Sequence, residues 1–222
     1  MSSDETQSPN VLRLKGTRVD IIEATGNHWQ PKFVDWQTKV VGTPPLELVG
    51  PYLTQIEAFC LQSNRKQSEL KDRNDEIYIN VTDRSDAHYR IPVADQEMNN
   101  TGLRRRASST CAEGYQKVSQ DTFVSSPNSG DSSIAKRSYL TMMGYLYFRR
   151  PFLTEKGFVG LAPDVCEVGD VVCVFLGARL PYVLREREDG TFQLIGEAYA
   201  HGIMYGEAWE GTEREVEVFE LK

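Results

Sequence analysis

Three titratable side chains near the end of the chain have the types and spacing for chemistry. In GEAYAHGIMYGEAWE (196–210), Glu197 and Glu207 flank His201, one of only three histidines. Two carboxylates and an imidazole can make an acid/base pair or part of a metal site. On a regular strand Glu197, Tyr199 and His201 would share one face. A catalytic zinc site, however, needs three protein ligands held by outer partners, and the sequence has no H-E-x-x-H or paired Cys/His set. The simpler reading is that His201 ends a strand and Gly202 opens a turn. That reading predicts no metal site, no catalytic residue and no cofactor.

Other catalytic patterns are missing too. There is no G-x-S-x-G elbow, Walker loop or G-x-G-x-x-G after a strand. Cys173 lies inside the apolar run VVCVFL, where a thiol is expected to be inert core; Cys111 lies in a polar stretch that suggests exposure. One basic run, Leu103-Arg104-Arg105-Arg106-Ala107-Ser108, fits the Arg-Arg-x-Ser pattern read by basophilic kinases, so Ser108 is a candidate phosphosite.

Composition bounds the rest. The 222 residues carry a net charge of −7, which argues against a general nucleic-acid partner. The polar start MSSDETQSPN is not a secretory signal, and no run approaches the ~20 apolar residues of a membrane span. A cytoplasmic location with reduced cysteines is the expectation.

The elements that would position these residues follow from periodicity. Residues 1–10 read as a disordered tail. LRLKGTRVDIIEAT suggests two strands with a turn near Lys15-Gly16, and residues 26–50 an irregular connection. Tyr52, Leu53, Ile56, Phe59 and Cys60 lie on one face of a helix running from Pro51 to about Ser63. EIYINVT (76–82) alternates like a strand. Stretches 94–106 and 112–118 read as helices, and 119–133 as a Ser-rich loop. Past Ser138 the pattern turns to short strands. A hairpin turns near Lys156-Gly157, DVVCVFLG reads as a strand buried on both faces, and Asp189-Gly190 turns a second hairpin. EVEVFEL is a last strand.

We therefore expect one α+β domain over 11–222. Its strand pair (11–25) joins a β-rich part (138–222) in a small barrel or bent antiparallel sheet, with a helical, loop-rich insertion at about 50–135.

The last third has an ordered pattern of its own. It comprises Gly157, Gly160 and Pro163; Gly169 and Asp170; Gly177; Pro181, Leu184 and Arg185; and Gly196, Glu197, Tyr199, His201, Gly202, Met204, Gly206 and Glu207. This resembles the region that follows the HET domain in fungal heterokaryon-incompatibility proteins. The resemblance implies the C-terminal region alone, without the HET domain to which the family's cell-death signalling is attributed. It also implies structural rather than catalytic roles for these residues. On physical grounds we expect Arg185 to pair with Glu197 or Glu207, and Tyr199, Met204 and Trp209 to pack. The expected function is a non-enzymatic interaction module in non-self recognition, with protein partners such as full-length HET-domain relatives. The alternatives are a small metal-dependent or hydrolytic enzyme using His201 with Glu197 or Glu207, and an inactive fragment of a longer protein.

Overall fold

The computed structural model describes residues 11–29, 46–71, 81–99, 101–123, 134–207 and 215–222. The tail 1–10, the segment 30–45, most of EIYINVT, the 124–133 part of the Ser-rich loop and Trp209 lie outside the described residues. The elements, in order, are β1 (Leu12–Thr25), α1 (Leu46–Lys71), α2 (Val81–Arg90), a short 3-10 turn (Ile91–Val93), β2 (Gln96–Met98), β3 (Arg104–Arg106), α3 (Ser109–Phe123), α4 (Ile134–Gly144), β4 (Arg149–Thr154), β5 (Val159–Pro163), β6 (Val171–Phe175), β7 (Tyr182–Glu186), β8 (Phe192–Glu197), β9 (Tyr199–Ala200) and β10 (Glu217–Leu221).

The first stretch is one strand, not two. Lys15-Gly16 makes no turn. Gly16 is instead where β1 passes from one neighbour to another, opposite both Glu217 of β10 and Phe175 of β6. A Cβ at Gly16 would lie 2.6 Å from the Val174 carbonyl oxygen, so the glycine permits close backbone approach. β1 then pairs β6 as far as Ile21 and β4 from Ile22 to Thr25, with register shifts at Arg18/Asp20 and Ile22/Ala24 that bend it.

The pairing order β10-β8-β7-β6-β1 closes on itself through β10–β1, and β4-β5-β9 continues from β1. Most pairs are antiparallel; β10 meets β8 in parallel at Leu221 and Phe192. The α+β fold with a barrel-like sheet is thus the observed architecture.

The apolar run of β6 follows from its position between two cores. Val172 and Val174 pack with Val19, Ile22, Phe152 and Val183, while Val171, Cys173 and Phe175 pack with Leu184, Phe192 and Phe219. Strands β4 and β5 divide their faces in the same way. Phe152, Phe158 and Ala162 face the sheet interior, and Leu153, Val159 and Leu161 face the helices.

The helical part differs from expectation at its edges. α1 begins before Pro51 because Leu48 and Val49 extend the apolar face by a turn, and it runs past Ser63 on polar anchors. Ser63 Oγ donates to the Gly157 carbonyl (2.6 Å), and Lys66 Nζ donates to Glu23 and to the Glu155 carbonyl. Residues 94–106 form a β2–β3 hairpin, not a helix. Ala94 and Asp95 take left-handed backbone (φ 50° and 56°), which stops the preceding helical turn. The Asn99 carboxamide then accepts the backbone N–H groups of Thr101 (3.0 Å) and Leu103 (2.8 Å) to build the turn. α3 takes in 119–123, which reads as loop in sequence, and α4 continues to Gly144, past the expected start of the β-rich part. In α4, Ala135, Tyr139, Leu140, Met142 and Met143 are buried at helical spacing. Trp29 docks β1's exit onto this layer: its indole N–H donates to the Met143 carbonyl (2.8 Å) and its ring stacks on Tyr52 at 4.5 Å.

Gly160 is the tightest contact. A Cβ there would lie 2.1 Å from the Tyr199 carbonyl oxygen and 2.6 Å from the Phe152 ring. Gly160→Ala is expected to destabilise by about 1–3 kcal/mol, seen as a lower urea midpoint with an unchanged m-value.

Candidate functional site

The Gly-Asp and Leu-Arg portions of the pattern meet at one end of the sheet. The turn before β6 carries Gly169 in left-handed backbone (φ 93°), which sends Asp170 inward to 2% exposure. Val171 of β6 lies opposite Leu184 of β7, so Asp170 falls beside Arg185. Arg185 donates from Nε to Asp170 Oδ1 (2.8 Å) and from Nη2 to Oδ2 (3.0 Å), a two-pronged contact. Asp170 Oδ2 also accepts the Glu167 N–H (2.8 Å), and Arg185 reaches the Val165 carbonyl and the Glu167 carboxylate. The partner of Arg185 is therefore Asp170, not Glu197 or Glu207. The hydrogen bonds with Asp170 come first among the causes that push the guanidinium above its ordinary value.

Glu197, His201 and Glu207 stand in different surroundings. Glu197 ends β8 exposed to solvent, and its carbonyl accepts from Arg149. The chain changes neighbours at the next residue: the Ala198 N–H donates to the Pro181 carbonyl (2.8 Å), and Tyr199 then pairs with Leu161 of β5. That change breaks the strand period, so Glu197 does not share a face with the pair beyond it. His201 is buried at 2% exposure, with Nδ1 2.7 Å from the Tyr199 hydroxyl and its backbone N–H donating to the Val159 carbonyl (2.9 Å). Gly202 (φ 88°) turns the chain directly after it. Glu207 accepts the backbone N–H of Tyr205 (2.6 Å). Among the described residues, no three His, Cys, Asp or Glu side chains converge on a metal-sized position.

The thiols are far from nucleophilic. Cys111, expected to be exposed, is buried. Burial, aided by the nearby Glu97 charge, pushes its thiol up to about 12. Burial is also the first cause raising Cys60, Cys166 and Cys173 to about 12.

A charged cluster that sequence reasoning missed joins the hairpin to the sheet. Asp95, 1% exposed, accepts from Arg90 Nη1 (2.6 Å), Arg106 Nε (2.8 Å) and the Tyr205 hydroxyl (3.0 Å). Arg106 lies over the Tyr205 ring, 4.4 Å from its centroid. Ser108 caps α3, its Oγ accepting the Thr110 N–H (3.3 Å). The acidic DQE beside the basic RRR was the available signal, since an antiparallel hairpin sets the two runs opposite each other. Tyr205 also lines a cleft of about 330 Å³, together with Leu180, Pro181, Ile203 and Met204 among others.

A barrel-like sheet that closes through β10 and β1 and packs against helices defines the class of domain, and residues 114–219 match the Het-6 beta-barrel domain. The chain is also 27% identical, over an alignment of 239 residues, to heterokaryon incompatibility protein 6, OR allele, of Neurospora crassa. Both similarities point the same way as the ordered pattern in the last third, which resembles the heterokaryon-incompatibility proteins. The alignment takes in 95% of this chain and 34% of that relative, so the chain spans about a third of the relative's length. No solved structure matches. No helix among the described residues is long and apolar enough to cross a membrane.

Asp170→Asn removes the charge that Arg185 pairs with and is expected to cost about 2 kcal/mol. Glu197→Gln and Glu207→Gln, at positions away from the core, should each stay within about 0.5 kcal/mol. Thermal melting of the three variants checks this ordering.

Proposed function

We propose that the chain is a non-enzymatic interaction module in fungal heterokaryon incompatibility, acting in the cytoplasm through a protein partner. A HET-domain protein of the same family is the first partner to test, and the downstream event is the cell death that follows non-self fusion. The observation that carries this reading is the match over 95% of the chain to a heterokaryon incompatibility protein. The different surroundings of the three groups (Glu197 exposed, His201 buried against Tyr199, Glu207 on the Tyr205 N–H) support a module over a hydrolase, because general acid/base work requires its groups within hydrogen-bond reach of one reacting centre. The alternative in which the chain is an inert fragment predicts no partner.

The test is co-precipitation of the tagged chain with the full-length Neurospora relative from cells expressing both. The Glu197→Gln/Glu207→Gln double variant runs alongside. The module reading predicts retention of the relative by both forms. Absence of retention, together with an activity of the purified chain that the double variant loses, would contradict it.

A further inference from the structure

The Arg-Arg-x-Ser motif lies where one hydroxyl holds a buried carboxylate in place. Arg104, Arg105 and Arg106 form β3, the exposed strand of the hairpin, and their side chains fasten it to three different places. Arg104 lies over the Tyr145 ring, Arg105 donates to Glu97 (2.7 Å) and Arg106 donates to Asp95. Ser108 completes the fastening. Its Oγ donates to Glu97 Oε1 (2.8 Å) and its backbone N–H to Oε2 (3.1 Å). Glu97 is only 5% exposed. Burial opposes its ionisation, yet the Ser108 hydrogen bonds and Arg105 hold the carboxyl below its usual range.

A kinase binds its substrate extended, with arginines two and three residues before the acceptor in acidic pockets. Arg105 and Arg106 stand at those positions before Ser108 and are already in strand conformation. The residues that follow, Ser109 and Thr110, are exposed in the first turn of α3, where helices fray. Presenting the site requires opening that turn and breaking two part-buried ion pairs, Arg105–Glu97 and Arg106–Asp95.

We propose that Ser108 is the acceptor for a basophilic protein kinase, and that its phosphorylation unfastens the β2–β3 hairpin from the helices. The Ser108 oxygen attacks the γ-phosphorus of magnesium-bound ATP. The new O–P bond forms as the bond to the β-phosphate oxygen breaks, ADP leaves with that electron pair, and the hydroxyl proton passes to the kinase's base. The product has lost the proton that Ser108 gave to Glu97. It carries a charge of about −1.5 to −2 in its place. The phosphate repels the Glu97 carboxylate, competes with it for Arg105, and takes the N–H groups that open α3. Glu97 then has no donor left inside and must move to water, taking β2 with it. This step is independent of the partner proposed above.

The test incubates the full chain with a basophilic kinase and ATP, maps the phosphate by mass spectrometry, and follows amide hydrogen exchange over residues 96–112. The expected result is one phosphate on Ser108, absent in Ser108→Ala, with exchange in β2 and β3 faster by roughly tenfold or more. Phosphate on Ser109 alone, or none while the unfolded chain is modified, would overturn the site. Phosphate on Ser108 with unchanged exchange would overturn the release.

Discussion

One strand carries the geometry of this fold. β1 is the neighbour of β10, β6 and β4 in turn, so the sheet closes only if fourteen residues stay extended through two register shifts. A strand that changes neighbours must come close to both at the crossing, which is why Gly16 stands there with Val174 and Phe175 against it. The consequence runs through the whole interior. Because β1 and β6 are shared, β6 has a core on each face, and its five residues are all buried. Burying both faces of such a strand stabilises the fold by ~25 cal/mol per Å² of apolar surface removed from water. The barrel therefore depends on contacts between residues far apart in the chain.

The chemistry-bearing residues of the last third serve that closure. Asp170 and Arg185 clamp the turn before β6 to β7, His201 and Tyr199 satisfy each other inside the β5–β9 contact, and Gly160 lets the backbone of Tyr199 lie against β5. A buried carboxylate or imidazole must find partners in the fold or lose several kcal/mol, and here both do. Polar residues with such partners give a module a fixed shape on which a surface can be displayed. The charged cluster around Asp95 extends the same logic outward, tying the helical layer to the barrel's end through Tyr205.

The hairpins were legible because their turns are local: Lys156-Gly157 and Asp189-Gly190 announce β4–β5 and β7–β8 in a few residues. The two-faced burial of β6 was legible from VVCVFL alone. β1 was misread because Lys15-Gly16 signals a turn by composition, whereas the glycine's purpose depends on strands more than 150 residues away. The hairpin at 94–106 was misread because Ala94, the first left-handed residue, is of a type that favours helix. The partner of Arg185 was available in principle. A Gly-Asp turn entering one strand, and an arginine on the next antiparallel strand, meet once the hairpin register is set. Glu197 was grouped with His201 because regular strand periodicity was extended across a residue where the chain changes neighbours.

Native-state hydrogen exchange across β1 tests the central claim most directly. If one strand closes the barrel, the amides of Leu12–Gly16 and of Thr17–Thr25 open together, at the free energy of global unfolding measured by denaturant. If the first half opened at a much lower free energy, with β10 detaching while the rest stayed protected, closure through β1 would not be what holds the fold together.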